Sequence, residues 1–209
     1  MRILDRRSFQ ERRVSLAEAD WLRLAQQNDE TAFEHLVETY QRPVFNLCYR
    51  MLGNQQEAED AAQEAFWRAY QAIDRYDNNR SFITWLLSIT AHYCIDLQRK
   101  RRLPTLDIDL LTDFDAPDAT PGPEAMLKKK QDTEAINTLL ENLKEQDRAI
   151  IILRYWQEFS EEEIAKTLSL SVSAVKSRLH RARLLLANLW MEEHQPLGLE
   201  RSIHGSPTL

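Results

Sequence analysis

The sequence predicts an all-α protein of two small helical domains joined by a flexible acidic linker, with a helix-turn-helix in the C-terminal domain. Three observations carry that expectation. Glycine occurs only four times in 209 residues, 43% of which are hydrophobic. The apolar positions recur mostly at spacings of three and four rather than two, as on helices with one buried face. Finally, Leu103 to Pro123 holds four prolines and little periodicity, and so separates two blocks that can each bury a modest core.

The chain opens on a basic arm, residues 1–15, in which Arg2, Arg6, Arg7, Arg12 and Arg13 are interleaved with polar residues. No apolar stretch follows, so the arm does not read as a secretory signal. No run approaches the roughly 20 apolar residues that a membrane span needs. A cytoplasmic protein without membrane insertion is therefore expected.

The first block, residues 16–103, reads as helices at Leu16 to Gln27, Asp29 to Leu52, Gln55 to Asp74 and Ser81 to Leu103. Asn28 and Asn54 are candidate N-caps, and Asn54 is followed three positions later by Glu57. Gly53 can supply the left-handed residue that closes the preceding helix. Pro43 lacks the amide proton of the helical ladder and is expected to bend or interrupt the second helix.

Residues 104–123 form the expected linker; six acids and no bases lie between Asp107 and Glu124. About 20 extended residues reach some tens of ångströms, which leaves the two blocks free to be placed independently. The second block, residues 124–191, resumes as helices at Glu124 to Leu143, Glu145 to Glu158, Glu161 to Leu168 and Val172 to Met191. A tail, residues 192–209, is expected to fray.

No catalytic constellation emerges. Cys48 and Cys94 lie in apolar helical patterns without Cys-x-x-Cys spacing and read as buried free thiols. The five histidines, His35, His92, His180, His194 and His204, lack ligand spacing, and no Gly-rich phosphate loop or Ser/His/Asp grouping is present. Neither a cofactor, a metal nor a small-molecule substrate is expected.

A formal charge of −6 argues, as an average, against a nucleic-acid partner. Its distribution argues otherwise. Basic residues cluster at Arg99, Lys100, Arg101 and Arg102, and again at Lys176, Arg178, Arg181 and Arg183.

The second cluster falls in a helix-turn-helix pattern. Ser160 and Glu163 form a capping box for a short helix with Ile164, Ala165 and Leu168 inward, and Ser171 caps a second helix after a short turn. Ala165 lets the helices cross closely, and Leu170 and Val175 fill the angle between them. Ser169 occupies the turn position where glycine usually sits, at roughly 1 kcal/mol if the backbone there is left-handed. On the second helix Val172, Val175, Leu179, Ala182 and Leu186 form one inward stripe. The opposite arc holds Ser173, Lys176, Ser177, His180 and Arg181, which can bond base edges or phosphates in a major groove. Arg178 and Arg183 flank it and suit backbone contacts.

On the helix from Gln55 to Asp74, Ala58, Ala61, Ala62, Ala65, Phe66, Ala69 and Ile73 point one way. Asp60, Gln63, Glu64, Trp67 and Gln71 are left on the outer side. Trp67 either rests on a neighbouring helix or serves as a protein contact, a role in which tryptophan is enriched. After Ser81, Phe82, Leu86, Ile89, Tyr93 and Leu97 make a core stripe, whereas Trp85, Ser88, His92 and Arg99 recur on another side. Aromatic and basic groups so spaced can stack on an unpaired base and hold its phosphates, although Trp85 fits a core position equally well.

Three stretches then resemble, in this order, the small sigma factors of the extracytoplasmic-function (ECF) group. They are Asp60-Ala-Ala-Gln-Glu-Ala-Phe-Trp-Arg-Ala-Tyr70, Phe82-Ile-Thr-Trp-Leu-Leu-Ser-Ile-Thr-Ala-His-Tyr-Cys-Ile-Asp96 and Val175-Lys-Ser-Arg-Leu-His-Arg-Ala-Arg183. The similarity runs from about Asp20 to Met191. It implies that the first block binds core RNA polymerase, with Asp60, Gln63, Glu64, Trp67 and Gln71 as contacts, and melts the proximal promoter element. The preceding loop, Asp77, Asn78, Asn79, Arg80 and Ser81, would capture a flipped base, with Trp85, His92 and Arg99 beside it. The second block would read the distal element. The resemblance also implies promoter DNA and a cognate anti-sigma factor as partners, a stress or envelope role, and a linker threaded through the polymerase's RNA channel, a plain tether being the other reading.

Three rival functions make different demands. An ordinary helix-turn-helix regulator would bind its operator tightly without polymerase. A helical enzyme would need a constellation that is not found, and a structural adaptor would leave the basic helix face without a purpose.

Overall fold

The computed structural model describes residues 18–102 and 135–193. The basic arm at 1–15, the linker at 104–123, the helix start at Glu124 and the tail beyond 193 lie outside the described residues. Within them every regular element is helical. α1 occupies residues 18–25, α2 runs Glu30–Leu52, α3 Gln55–Ala72, a 3-10 turn Ile73–Arg75, and α4 Phe82–Arg102. In the second block α5 occupies residues 135–141, followed by α6 Glu145–Tyr155, α7 Glu161–Thr167 and α8 Val172–Glu193.

Local chemistry explains most of the boundaries. The Asn54 side chain accepts from the Glu57 amide at 3.0 Å and starts α3. Gly53 ends α2 in the left-handed conformation, at φ 78°. A Cβ there would meet only Glu141 Oε1, the end of an exposed side chain that can move aside, so the left-handed backbone is what favours glycine. Asp29, not Asn28, caps α2: its carboxylate accepts from the Ala32 amide, while Asn28 takes a positive φ of 64° in the turn before it. Pro43 does not interrupt α2, which continues to Leu52. Buried Leu36, Val44, Leu47 and Met51 hold the helix against the core on both sides of it. The α3 register tightens into the 3-10 turn at Ile73, α6 stops at Tyr155, short of Glu158, and α8 extends beyond Met191 to Glu193.

In the first block α2, α3 and α4 pack mutually. Ala58, Ala61, Ala65 and Ala69 are buried, and their small side chains let α3 approach its neighbours closely; Ala62 is half-buried at the edge. The buried face of α4 differs from the expected stripe. Phe82 and Leu86 are buried, but Ile89, Tyr93 and Leu97 are only half-buried, while Leu87, Thr90, Ala91, Cys94 and Ile95 are fully enclosed. α4 is covered by α2, α3, α6 and α7 together, so a single-stripe pattern cannot describe it. Cys48 and Cys94 are buried free thiols facing each other at 3.8 Å across α2 and α4. The hydrogen bond with the Cys94 thiol, and then burial, push Cys48 well above its ordinary range.

The second block is built around α6, whose residues Ala149–Leu153 are buried consecutively. That run is explained by position: α6 is flanked by α7 and α8 on one side and by α2 and α4 on the other. The two domains are therefore packed together rather than placed apart. Arg148, 5% exposed, donates through Nη1 to the Met51 carbonyl at 2.6 Å. Gln98 of α4 donates to the same oxygen, so a carbonyl in the last turn of α2 gains partners that its own helix does not provide. Gln157 Nε2 donates to the Pro43 carbonyl at 3.2 Å, and the Arg50 guanidinium lies 4.0 Å above the Trp156 ring. The buried apolar residues of the two blocks form one continuous core, and these polar and cationic groups add bonds across it that apolar periodicity does not reveal.

Candidate nucleic-acid and polymerase interfaces

The helix-turn-helix forms as its caps dictate. Ser160 Oγ accepts from the Glu163 amide, and the Glu163 carboxylate accepts from the Ser160 amide at 2.8 Å, closing the capping box. Ser171 Oγ accepts from the Ala174 amide at the head of α8. Ser169 sits between the two helices at φ 54°, a left-handed residue without glycine's freedom. Val175, Leu179 and Ala182 are buried and Val172 and Leu186 half-buried, which fixes the rotation of α8.

That rotation exposes Ser173, Lys176, Ser177, His180 and Arg181. Lys176 Nζ lies 3.5 Å from Glu161 on α7, and Arg181 Nε donates to the Ser177 carbonyl one turn back. Arg183 Nε donates to the Tyr155 hydroxyl at 2.7 Å, with its guanidinium beside the same ring. Arg178 stands apart from the arc. Its Nη1 meets Asp147 Oδ1 at 2.8 Å, both side chains are largely covered, and the pair ties α8 to α6. The structure thus covers Arg178 against Asp147 and leaves Lys176, His180 and Arg181 exposed.

In the first block the loop at residues 77–81 is exposed throughout and internally bonded. Asp77 Oδ1 accepts from both the backbone amide and the side-chain amide of Asn79, at 3.0 and 2.9 Å. These bonds hold the Asp77 carboxyl below its usual range, because they favour the charged form. Arg80 Nε lies 3.7 Å from Asp77 Oδ2. Tyr76 donates its hydroxyl to the Arg80 carbonyl; burial pushes that hydroxyl up to about 12, so it stays protonated.

Trp85 is half-buried, with Tyr76 and Phe82 at centroid distances of 5.1 and 5.6 Å. It belongs to the wall behind the loop while keeping an accessible edge. His92 and Arg99 are exposed further along α4; His92 Nδ1 is 2.8 Å from the Ser88 carbonyl and Arg99 is 4.0 Å from Asp96.

On α3, Asp60, Gln63, Trp67 and Gln71 are exposed and Glu64 is half-buried. Trp67 is 56% exposed, so it does not rest in its own core; Tyr70 stacks loosely beside it at 6.1 Å. Glu64 accepts from Arg68 at 2.7 Å, and Arg68 in turn covers the Tyr93 ring. Among the described residues no group of acidic, His and Cys side chains suits a metal ion, and no helix is long and apolar enough to cross a membrane.

Two features escaped the sequence pattern. Leu184, Leu185, Trp190 and Met191 are exposed on the second half of α8. Three consecutive leucines at 184–186 cannot share one narrow inward stripe, which is the signal that could have found them. The other is Gln26, whose bonds to Ile73, Tyr76 and Asn78 cross 47 to 52 positions and leave no mark in local sequence.

The domain pair has counterparts among known families. The Sigma-70 region 2 model matches residues 36–103, and the Sigma-70 region 4 model matches residues 133–186. The ECF RNA polymerase sigma factor SigW of Bacillus subtilis (strain 168) is 38% identical over 170 residues, which cover 78% of this chain and 90% of SigW. This chain belongs to the ECF RNA polymerase sigma factors. Within that family, the sigma-E factor of Escherichia coli (strain K12) is 32% identical over 170 residues, 78% of this chain and 88% of its own. The solved structure of CnrH in complex with the cytosolic domain of CnrY is also similar, with a TM-score of 0.64 and 25% identity, and covers 85% of this chain and 99% of that one. As a sigma factor, the protein acts with RNA polymerase in promoter-directed transcription initiation.

Proposed function

We propose that this ECF sigma factor divides promoter recognition between its two blocks, residues 16–103 forming the region-two domain and residues 124–191 the region-four domain. Ser173, Lys176, Ser177, His180 and Arg181 enter the major groove of the distal element, Arg183 contacts its backbone, and Arg178 positions α8 through Asp147. Asp77, Asn78, Asn79, Arg80 and Ser81 take a base flipped from the proximal element, with Trp85, His92 and Arg99 holding the neighbouring strand. Asp60, Gln63, Glu64, Trp67 and Gln71 dock on core polymerase.

The observation that carries this reading is the helix-turn-helix whose apolar face is buried and whose opposite arc offers Lys176, His180 and Arg181 to solvent. Cations so displayed suit phosphates and guanine edges. The protein is an initiation factor without catalysis of its own. It works in the cytoplasm in a stress or envelope response, and is restrained by a cognate anti-sigma protein. Flipping a base costs a few kcal/mol of unstacking, so polymerase and DNA contacts act together, and the free, net-negative protein binds DNA weakly.

Run-off transcription tests it. Core polymerase with this protein is expected to start transcripts on a subset of a promoter library, and Lys176→Ala or Arg181→Ala to weaken distal-element recognition by about 1–3 kcal/mol each with polymerase binding intact. If the two substitutions instead lower polymerase affinity and leave promoter choice unchanged, the assignment of α8 is wrong.

A further inference from the structure

Gln26 lies in the turn between α1 and α2, remote in sequence from the loop at residues 77–81, yet it is bonded to both ends of the chain entering that loop. Its Nε2 donates to the Ile73 carbonyl at 3.2 Å and to the Tyr76 carbonyl at 2.9 Å. Its Oε1 accepts from Asn78 Nδ2 at 2.9 Å. Two carbonyl acceptors on one side fix which way the Gln26 amide faces, since only its NH2 end can donate to them. The carbonyl end must then face Asn78, and Asn78 must answer with its own NH2. One amide orientation therefore determines the next.

The same bonds fix which atoms the loop turns outward. With its NH2 engaged by Gln26, Asn78 keeps its Oδ1 for a ligand. Asn79, with both its amide donors directed at Asp77, likewise keeps its Oδ1. Both residues are exposed. The loop thus displays two amide oxygens, acceptors suited to a base edge that carries an exocyclic amine, flanked by the Arg80 guanidinium and the Ser81 hydroxyl.

We propose that Gln26 is a positioning residue for base capture: its paired hydrogen bonds to the Ile73 and Tyr76 carbonyls and to Asn78 set the loop so that the Asn78 and Asn79 side-chain oxygens face an extruded promoter base. This rests on the reading that the loop takes such a base. Gln26 touches no DNA itself and acts through Asn78 and the backbone of residues 73–76.

The test uses full-length protein assembled with core polymerase. Fluorescently labelled single strands of a proximal element, selected in the run-off library and carrying each of the four bases at the captured position, are titrated by anisotropy. Gln26→Glu keeps the shape but sets a carboxylate against two carbonyls; Gln26→Met keeps the bulk without any hydrogen bond and without that repulsion. Both variants are expected to lose about tenfold in discrimination between the preferred base and the other three, with affinity for core polymerase and distal-element recognition within about twofold of the parent. Thermal unfolding reports whether each variant is folded. Unchanged discrimination in Gln26→Met would overturn the proposal, as would a matching fall in polymerase affinity, which would mark Gln26 as merely structural. Should the parent show no base preference and Asn79→Ala change nothing, the base-capture reading of the loop fails instead, and the proposal falls with it.

Discussion

In the loop at residues 77–81, Asp77, Asn78 and Asn79 are bonded to one another or to Gln26 far along the chain, whereas on α8 the contacts of Lys176 with Glu161 and of Arg181 with the Ser177 carbonyl lie on the surface, and Lys176, His180 and Arg181 stay exposed. One backbone bond, from the Arg80 amide to the Asp77 carbonyl at 2.9 Å, closes the turn, and side chains add the rest. α8 needs none of this, because its buried stripe of Val175, Leu179 and Ala182 already fixes its rotation. Precision in the loop comes from a preset backbone, and precision on α8 from which residues occupy the outer arc. The difference predicts that the loop is vulnerable to changes behind it and α8 chiefly to changes on its surface.

The largest effect that would break this comparison comes from the core beneath α8. Ile164→Ala removes a fully buried side chain of α7 and is expected to destabilise the fold by about 2–5 kcal/mol, measured by urea denaturation. Distal base preference of the folded protein should stay as in the parent, since the outer arc of α8 is unchanged. Arg148→Ala is next: it strips the Met51 carbonyl of a buried charged donor and should destabilise by about 1–3 kcal/mol, loosening the seam between the domains. Hydrogen exchange of the α6 amides should then be faster than in the parent.

Smaller effects sharpen the contrast. Ser160→Ala removes half of the capping box at α7 and is expected to cost about 1 kcal/mol, readable as a lowered melting temperature. The loop's acid response has a defined sign. The Asp77 carboxyl is held below its ordinary range by the Asn79 donors, so its contribution is present above the unfolded-state pKa and disappears as pH falls through the folded one. Proximal-strand binding should therefore be insensitive to pH near neutrality on account of this group and weaken only in strong acid. Smallest of all, Ser169→Gly relieves a left-handed serine and should raise stability by at most about 1 kcal/mol without altering promoter choice.

What could be read from sequence was chiefly what is local. Gly53, Asn54, Ser160, Glu163 and Ser171 announce helix ends because a cap acts within three or four residues, and all five act as their types suggest. The inward stripe of α8 and the alanine face of α3 were legible for the same reason: each helix has one dominant covered side. Asn28 was mistaken for the cap because Asn and Asp share that preference, and only the backbone distinguishes the left-handed Asn28 from the extended Asp29. The buried face of α4 was misjudged because neighbours from both blocks enclose it. The seam itself was invisible: Arg50, Arg148 and Gln157 look like surface residues until their partners, Trp156, the Met51 carbonyl and the Pro43 carbonyl, are known. The bond from Arg178 to Asp147, 31 positions away, likewise leaves no mark in the local pattern.

The division of labour between the blocks can be measured in a single experiment: sequencing transcripts made by core polymerase with parent, Arg181→Ala or Asn79→Ala protein on templates randomised across both promoter elements. The account predicts that the first substitution erases base preference only at distal positions and the second only at proximal positions. Loss of preference at the same positions in both variants, or no transcripts above those of core enzyme alone, would contradict it.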